Sequence, residues 1–224
     1  MFDEAMHYLQ ILTVDPDLAP ATPEEQREAM DALGVWLDGL DAAGASLLHG
    51  SRTRPPEDAT TIRIRDGQLI VTDGPYAETK EQVGGYGVVE CRSLDTAVRW
   101  ESRHPHARMG SVEVRPLSGG TRAGRLPEPG PGKARYLLLV CTDPAVDSRV
   151  TGNLEPPASA RTVRVRQERV IVSDGPFADT KEQIAGFDLL DCADLDEVIE
   201  IAARHPMARA GILEVRPLWR HGED

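Results

Sequence analysis

Apolar and polar residues alternate in short runs along the first half of the chain, and twice the alternation gives way to spacings of three and four. "MHYLQILTV", Met6–Val14, reads as a strand. "TPEEQREAMDALGVWLDGLDAAG", Thr22–Gly44, predicts a helix. Thr22 is its cap, Pro23 takes the first helical position, and acids fill the first turn. Met30, Leu33, Trp36, Leu37 and Leu40 make an apolar stripe, and Gly44 is the stop. A short strand is predicted over Ser46–His49, then a hairpin in "TTIRIRDGQLIVT", because Asp66-Gly67 suits a tight two-residue turn. "GGYGVVECR" reads as a strand, "SLDTAVRWESRHP" as a Ser-capped helix stopped near Pro105, and "GSVEVRPL" as the last strand. Strand, helix, strands, helix, strand is the order of a ferredoxin-like α+β unit with helices on one sheet face. The other face requires a cover.

The cover is in the same chain. Thr61–Leu117 aligns without a gap on Thr162–Leu218 at a shift of 101 residues, with about half the positions identical. Upstream the shift changes: "YLQIL" at Tyr8 matches "YLLLV" at Tyr136, a displacement of 128 residues, so the second copy is 27 residues shorter. The stretch between Cys141 and Arg161 is dominated by turn formers, and the second copy is expected to lack the first helix. In that copy Gln167-Glu168 replaces Asp66-Gly67, so the hairpin turn there need not be of the same type. The predicted organisation is a first repeat over 1–118, a Gly/Pro-rich linker over 119–133 and a shortened repeat over 134–220. Sheet surface left bare by the lost helix is expected to be covered by the linker or by another chain, with a homodimer as one outcome.

The chain has 224 residues, enough for two small cores, and a formal net charge of -12. That charge disfavours binding to a phosphate backbone, so nucleic acid is not expected as a partner. No apolar run has the length that spans a bilayer, and "MFDEAMHYLQ" lacks the basic and apolar regions of a signal peptide. A soluble, cytoplasmic protein with no membrane partner is the expectation. Cys91, Cys141 and Cys192 have no metal-ligand spacing and read as reduced, partly buried thiols. Neither a metal nor a cofactor is expected, since no metal cluster, phosphate-cradling glycine loop or nucleophile elbow appears.

Candidate chemistry gathers at a duplicated motif: "VTDGPYAETKEQVGGYG" from Val71 and "VSDGPFADTKEQIAGFD" from Val172. Asp73 and Asp174 end a strand, and the Gly-Pro that follows makes a rigid turn. Two readings stand open: each carboxylate accepts hydrogen bonds from its own turn, or it serves as a general base at a cavity. Lys80 and Lys181 are candidates to hold an anionic ligand, against a plain surface charge pair with Glu81 or Glu182. Tyr76 and Phe177 pack, or line the ligand site. His104 and His205 are candidate proton carriers, against a role as helix C-terminal caps. Glu113 with Arg115, and Glu214 with Arg216, share one strand face and read as charge pairs on solvated sheet.

The Asp-Gly-Pro-aromatic motif, with its later "RHP" and "GSVEVRPL", resembles the DGPF-type branch of the YCII-related domain family. The resemblance covers nearly all of both copies. It implies a dimeric α+β barrel, two ferredoxin-like units packed sheet to sheet, here joined in one chain. It implies little about activity. A few relatives look like lyases or dehalogenating enzymes using a His and an Asp, and many DGPF-type members are associated with extracytoplasmic-function sigma factors. Those enzymes are thought to carry their His on the first helix, which has none here. A module that binds a small ligand or a protein partner, such as a sigma factor, is therefore favoured. The alternative is a lyase-like acid-base enzyme using Asp73 or Asp174 with a nearby His, and a His within hydrogen-bonding distance of either aspartate in a cavity would decide for it.

Overall fold

Residues 6–77, 79–118, 124–143 and 153–220 are described by the computed structural model. β1 (Met6–Val14) is buried on both faces, with Leu9 and Ile11 on one side and Tyr8 and Leu12 on the other, so it lies inside a sheet. In α1 (Pro23–Asp38) the Thr22 hydroxyl accepts the Glu25 amide while the Glu25 carboxylate accepts the Thr22 amide, the capping box that the sequence supports. A short 3-10 turn follows, and Gly44, at φ 69°, leads into β2 (Ala45–Arg52). The hairpin of β3 (Thr60–Arg65) and β4 (Gln68–Asp73) precedes β5 (Gln82–Cys91), α2 (Leu94–Glu101), the one-turn α3 (His106–Met109) and β6 (Val112–Pro116). The second copy contributes β7 (Ala134–Thr142), the β8 (Arg161–Arg166) and β9 (Arg169–Asp174) hairpin, β10 (Gln183–Cys192), α4 (Leu195–Arg204) and β11 (Ile212–Pro217). Among its described residues no counterpart of α1 or β2 occurs; 144–152 lie outside them.

The chain makes two antiparallel sheets, ordered β2-β5-β1-β6-β8-β9 and β10-β7-β11-β3-β4. β2-β5-β1-β6 is the ferredoxin-like order, and β10-β7-β11 is the same order short of one strand. The hairpins have changed places. β3–β4 of the first copy extends the second copy's sheet through β11, and β8–β9 of the second extends the first copy's sheet through β6. Both hairpin turns are left-handed: Asp66 and Gly67 have φ 52° and 76°, Gln167 and Glu168 49° and 59°. The second copy thus keeps the turn geometry without its glycine, at a cost of roughly 1 kcal/mol per residue.

Three apolar clusters result. One lies between the sheets and takes Leu9, Ile11 and Val88 from one and Leu137, Leu139 and Ile212 from the other. The other two lie on the outer faces under the helices. Where α1 should have buried its stripe, only Trp36 is buried within the helix, with Leu40 just beyond it, while Met30 and Leu37 stay 47% and 39% exposed. The C-terminal half of α1 is anchored, and its N-terminal half stands over a cleft. In the second copy, Asn153 meets the edge of β10 where β2 would pair: its side chain accepts from the Phe187 amide at 3.1 Å and donates to the Phe187 carbonyl.

The solvated charge pairs expected on β6 and β11 are instead buried. Glu113 and Arg115 are both inaccessible, as is Arg216, and Glu214 is 2% exposed. Each arginine bonds the glutamate two residues earlier on its own strand and reaches into the opposite sheet, Arg115 to the Ile184 carbonyl and Arg216 to the Val83 carbonyl and Thr53 hydroxyl. Val83 and Ile184 sit at matching irregularities of β5 and β10. The remaining oxygens accept amides of the exchanged copy: Phe177 donates to Glu113 at 3.0 Å, Tyr76 to Glu214 at 2.9 Å. Period two places these residues on one face; which face is wet depends on the second sheet. Glu113→Ala leaves Arg115 buried without its carboxylate and should lose about 3–5 kcal/mol in urea unfolding. A loss below about 1 kcal/mol would show that the pair is dispensable.

Candidate functional site

The duplicated Asp-Gly-Pro turns are held by groups other than their aspartates. Gly74 and Gly175, at φ 88° and 93°, each donate their amide to the Ala before the exchanged hairpin, Ala59 and Ala160, and accept the hydroxyl of Thr61 and Thr162 at 2.8 Å. The aromatic amides bond the buried glutamates, and the Tyr76 and Phe177 rings pack into the core between the sheets. Tyr76 also donates its hydroxyl to the Glu182 carbonyl at 3.2 Å, and burial raises its pKa. Asp73 and Asp174 are exposed. Among the described residues neither accepts a turn amide and neither has a histidine partner; Asp174 pairs with Arg161 at 3.1 Å.

Downstream of the first turn the chain folds tightly on itself. The Gln82 side chain donates to the Thr79 carbonyl at 2.6 Å. Glu81 accepts Arg164 of the exchanged hairpin at 2.9 Å, Ser111 at 2.7 Å and Thr13 at 3.0 Å, and these partners hold its carboxyl below the usual range despite burial. Lys80 is tied to Asp15 at 3.1 Å and Asp17 at 3.4 Å; Lys181 has no partner among the described residues.

This segment borders an open cleft of about 1220 Å³. The N-terminal half of α1 forms its roof, Arg52–Pro56 and Gln82–Gly84 its sides, and His106 with Pro105 and Met109 its floor. Trp219, from the end of the second copy, closes one side with Arg54 stacked 5.0 Å from its ring centre. His106 is 9% exposed, and its Nδ1 has no hydrogen-bond partner. Burial, with the Arg52 charge nearby, pushes its pKa down to about 4, so the ring is neutral at physiological pH. Arg52 itself is exposed and has no acidic partner among the described residues. Gly84 stands at the cleft wall between Val14 and His106: a Cβ there would crowd Val14 at 2.7 Å and would be in ordinary contact, 3.8 Å, with His106 Nε2.

The second copy has none of these features at equivalent positions. His106 becomes Met207, Gly84 becomes Ala185, Arg52 becomes Asn153, and Ser118 stands where Trp219 would be. A second polar feature is also confined to the first copy. Gln10 donates to Glu101, whose other oxygen is buried without a partner, where the second copy has Leu138 and Ala202. Burial raises the Glu101 carboxyl to about 8. It is sealed under β1, away from the cleft.

The chain matches the YCII-related domain family over residues 6–119 and again over 158–221, one segment per copy. It belongs to the YCII-related family. An uncharacterized protein of Rhizobium meliloti (strain 1021) is 49% identical over 97 residues, 42% of this chain and 77% of that protein.

In this YCII-related chain the expected site residues do not converge. His104 is buried edge-on against Trp36, 4.5 Å between ring centres, and accepts the His106 amide at 3.1 Å; burial and His106 keep it neutral. His205 accepts the Met207 amide at 3.1 Å and lies 3.6 Å from Asp188. Both side chains cap the turn that follows their helix; His205 is also the C-cap residue of α4, whereas Ser102 holds that place in α2. The cysteines are free and buried as expected, and no described helix is long and apolar enough to cross a membrane. His106, Arg52 and Gly84 escaped the sequence reading, which followed what the copies share. The signal for them was the opposite: positions where otherwise matching copies differ in chemistry.

Asp73→Asn and Asp174→Asn should each change stability by less than about 0.5 kcal/mol in urea unfolding, because neither carboxylate holds its turn. A loss of 2 kcal/mol from either would show otherwise. Glu101 makes a pH prediction. A carboxyl raised on folding stabilises fully below its unfolded value, about 4.3, and loses that contribution as pH rises towards 8. His49, His104 and His106, all depressed, act oppositely below about 6.5, while Asp188 and Glu214, also raised by burial, act with Glu101, so the comparison is between wild type and a Glu101 variant from pH 6.5 to 8. There the protein should lose roughly 1.4 kcal/mol per pH unit, and Glu101→Gln should flatten that slope. An equal slope in the variant would refute the assignment.

Proposed function

We propose that this YCII-related chain is a binding protein that takes one small organic ligand, in the cleft of its first copy, and that the second copy serves as its structural partner. The observation that carries the reading is the one-sided construction of the cleft. Where the two copies otherwise match, the first has a buried, neutral and incompletely bonded His106 beside Gly84, roofed by α1. The second fills the same place with Ala185 and Met207. A buried imidazole with an unused nitrogen costs stability, and the second copy avoids that cost, so its retention at the cleft of the first supports a ligand site there. Mostly apolar walls with a few convergent polar groups are the usual makeup of a small-molecule site. An acid-base enzyme centred on Asp73 or Asp174 needs a histidine beside the aspartate, and neither has one among the described residues.

The second copy supplies the control. His106→Met transplants a side chain that already packs at the equivalent place, with Met207 1% exposed, so the variant should fold. Small organic fragments that shift the His106 and Trp219 nuclear magnetic resonance signals of the wild type should lose at least tenfold in affinity for the variant. Fragments that bind both proteins equally would place the ligand elsewhere and overturn the reading.

A further inference from the structure

We propose that the cleft selects an organic carboxylate, with the Arg52 guanidinium and the His106 imidazole as its anion-recognising end. This rests on the reading of the cleft as a ligand site and names the class of ligand.

We assign the proton on His106 from the hydrogen bonds that are missing. Its Nδ1 is buried and unpartnered. A buried donor left without an acceptor is the rarer and costlier defect, so Nδ1 is the bare acceptor and the proton sits on Nε2. Nε2 lies beside Gly84 at the cleft wall, where it presents a neutral N–H donor. Arg52 is the cation at this end. Its charge acts on His106, and no described acid neutralises it. Arg54 is already committed to Asp58 at 3.1 Å and to the Trp219 ring.

The opposite wall is acidic. Glu24, Glu28 and Asp31 stand along α1, and Arg27 lies among them, close in sequence to all three. One free guanidinium and one neutral donor suit a single negative charge, and the planar guanidinium fork matches a carboxylate in two-point contact. A dianion such as a phosphate monoester would meet the acids of α1 with only one free cation at the recognising end. A cationic ligand would leave Arg52 unanswered. Prolines, Met30, Leu33, Met109 and Trp219 offer the rest of the ligand an apolar surface.

Four probes sharing a phenyl ring separate these cases: benzoate, benzamide, benzylamine and phenyl phosphate, each titrated while the His106 and Trp219 signals are followed. Benzoate should bind at least tenfold more tightly than benzamide or phenyl phosphate, and benzylamine should leave both signals unmoved. Arg52→Gln, at an exposed position, should bring benzoate to within threefold of benzamide and leave benzamide unchanged. Signals distant from the cleft that stay in place show that this variant is folded. Benzamide or benzylamine matching benzoate, phenyl phosphate exceeding it, or an Arg52→Gln protein that keeps its benzoate affinity would each overturn the carboxylate assignment while leaving the cleft as a ligand site. If none of the four moves His106 or Trp219, the cleft reading falls with it.

Discussion

Two carboxylates buried between two sheets constrain the rest of this molecule. Glu113 and Glu214 each take a guanidinium from their own strand and a backbone amide from the Pro-aromatic turn of the other copy, so neither copy can satisfy its own glutamate. Each arginine needs a carbonyl on the opposite sheet, offered where the ladder of β5 or β10 is interrupted. A register slip of one residue would turn Glu113 or Glu214 to the other sheet face and strand it among apolar side chains. The exchange of hairpins, the rigid Gly-Pro turn and the interrupted strand follow from one requirement, that buried charge be answered from across the interface. Buried ion pairs are poor sources of net stability. Here their placement makes them a device for holding register between two sheets of similar sequence.

That requirement leaves most other positions free to differ, and the copies have used the freedom unequally. The first copy holds polar groups in costly places: a neutral His106 with a bare nitrogen, a Glu101 raised by burial, and a Glu81 fully satisfied by Arg164, Ser111 and Thr13. The corresponding residues of the second are Met207, Ala202 and Glu182, with Cys141 and Ile212 at the positions of Thr13 and Ser111. Two of these three groups in the first copy lose stability through burial without full bonding, and only His106 opens on a cleft. Glu101 has the pKa of a proton donor at neutral pH but no path to a ligand, and geometry outweighs its titration.

The strands, the caps and the duplication were legible because they are local or periodic. Thr22 and Glu25 announce the start of α1, and Met6–Val14 is an apolar-rich run of strand length. The hairpin exchange was not legible, because β3–β4 has the same pattern whether it pairs with β6 or β11. Glu113 and Arg115 looked solvated for the same reason, since alternation assigns a face and says nothing of what covers it. Met30 and Leu37 were read as packed because helical spacing marks a stripe without showing where the body beneath it ends. The aspartates drew attention by being repeated, but what both copies need from that motif is the Gly-Pro-aromatic backbone that answers Glu113 and Glu214, not the carboxylates.

A symmetric homodimer of single units would carry every substitution twice. If His106 and Gly84 arose in such a unit, both halves would bear a buried, incompletely bonded imidazole, and both would need the roof of α1. Joining the copies removes that constraint. One half can fill its cleft with Met207 and Ala185 and do without an α1-like roof among its described residues, recovering packing, while the other keeps the costly polar groups. The halves still depend on each other at the Glu–Arg pairs, and Trp219 shows the dependence reaching the cleft: it comes from the second copy and walls the first. The shortened copy is therefore part of the site it does not itself contain.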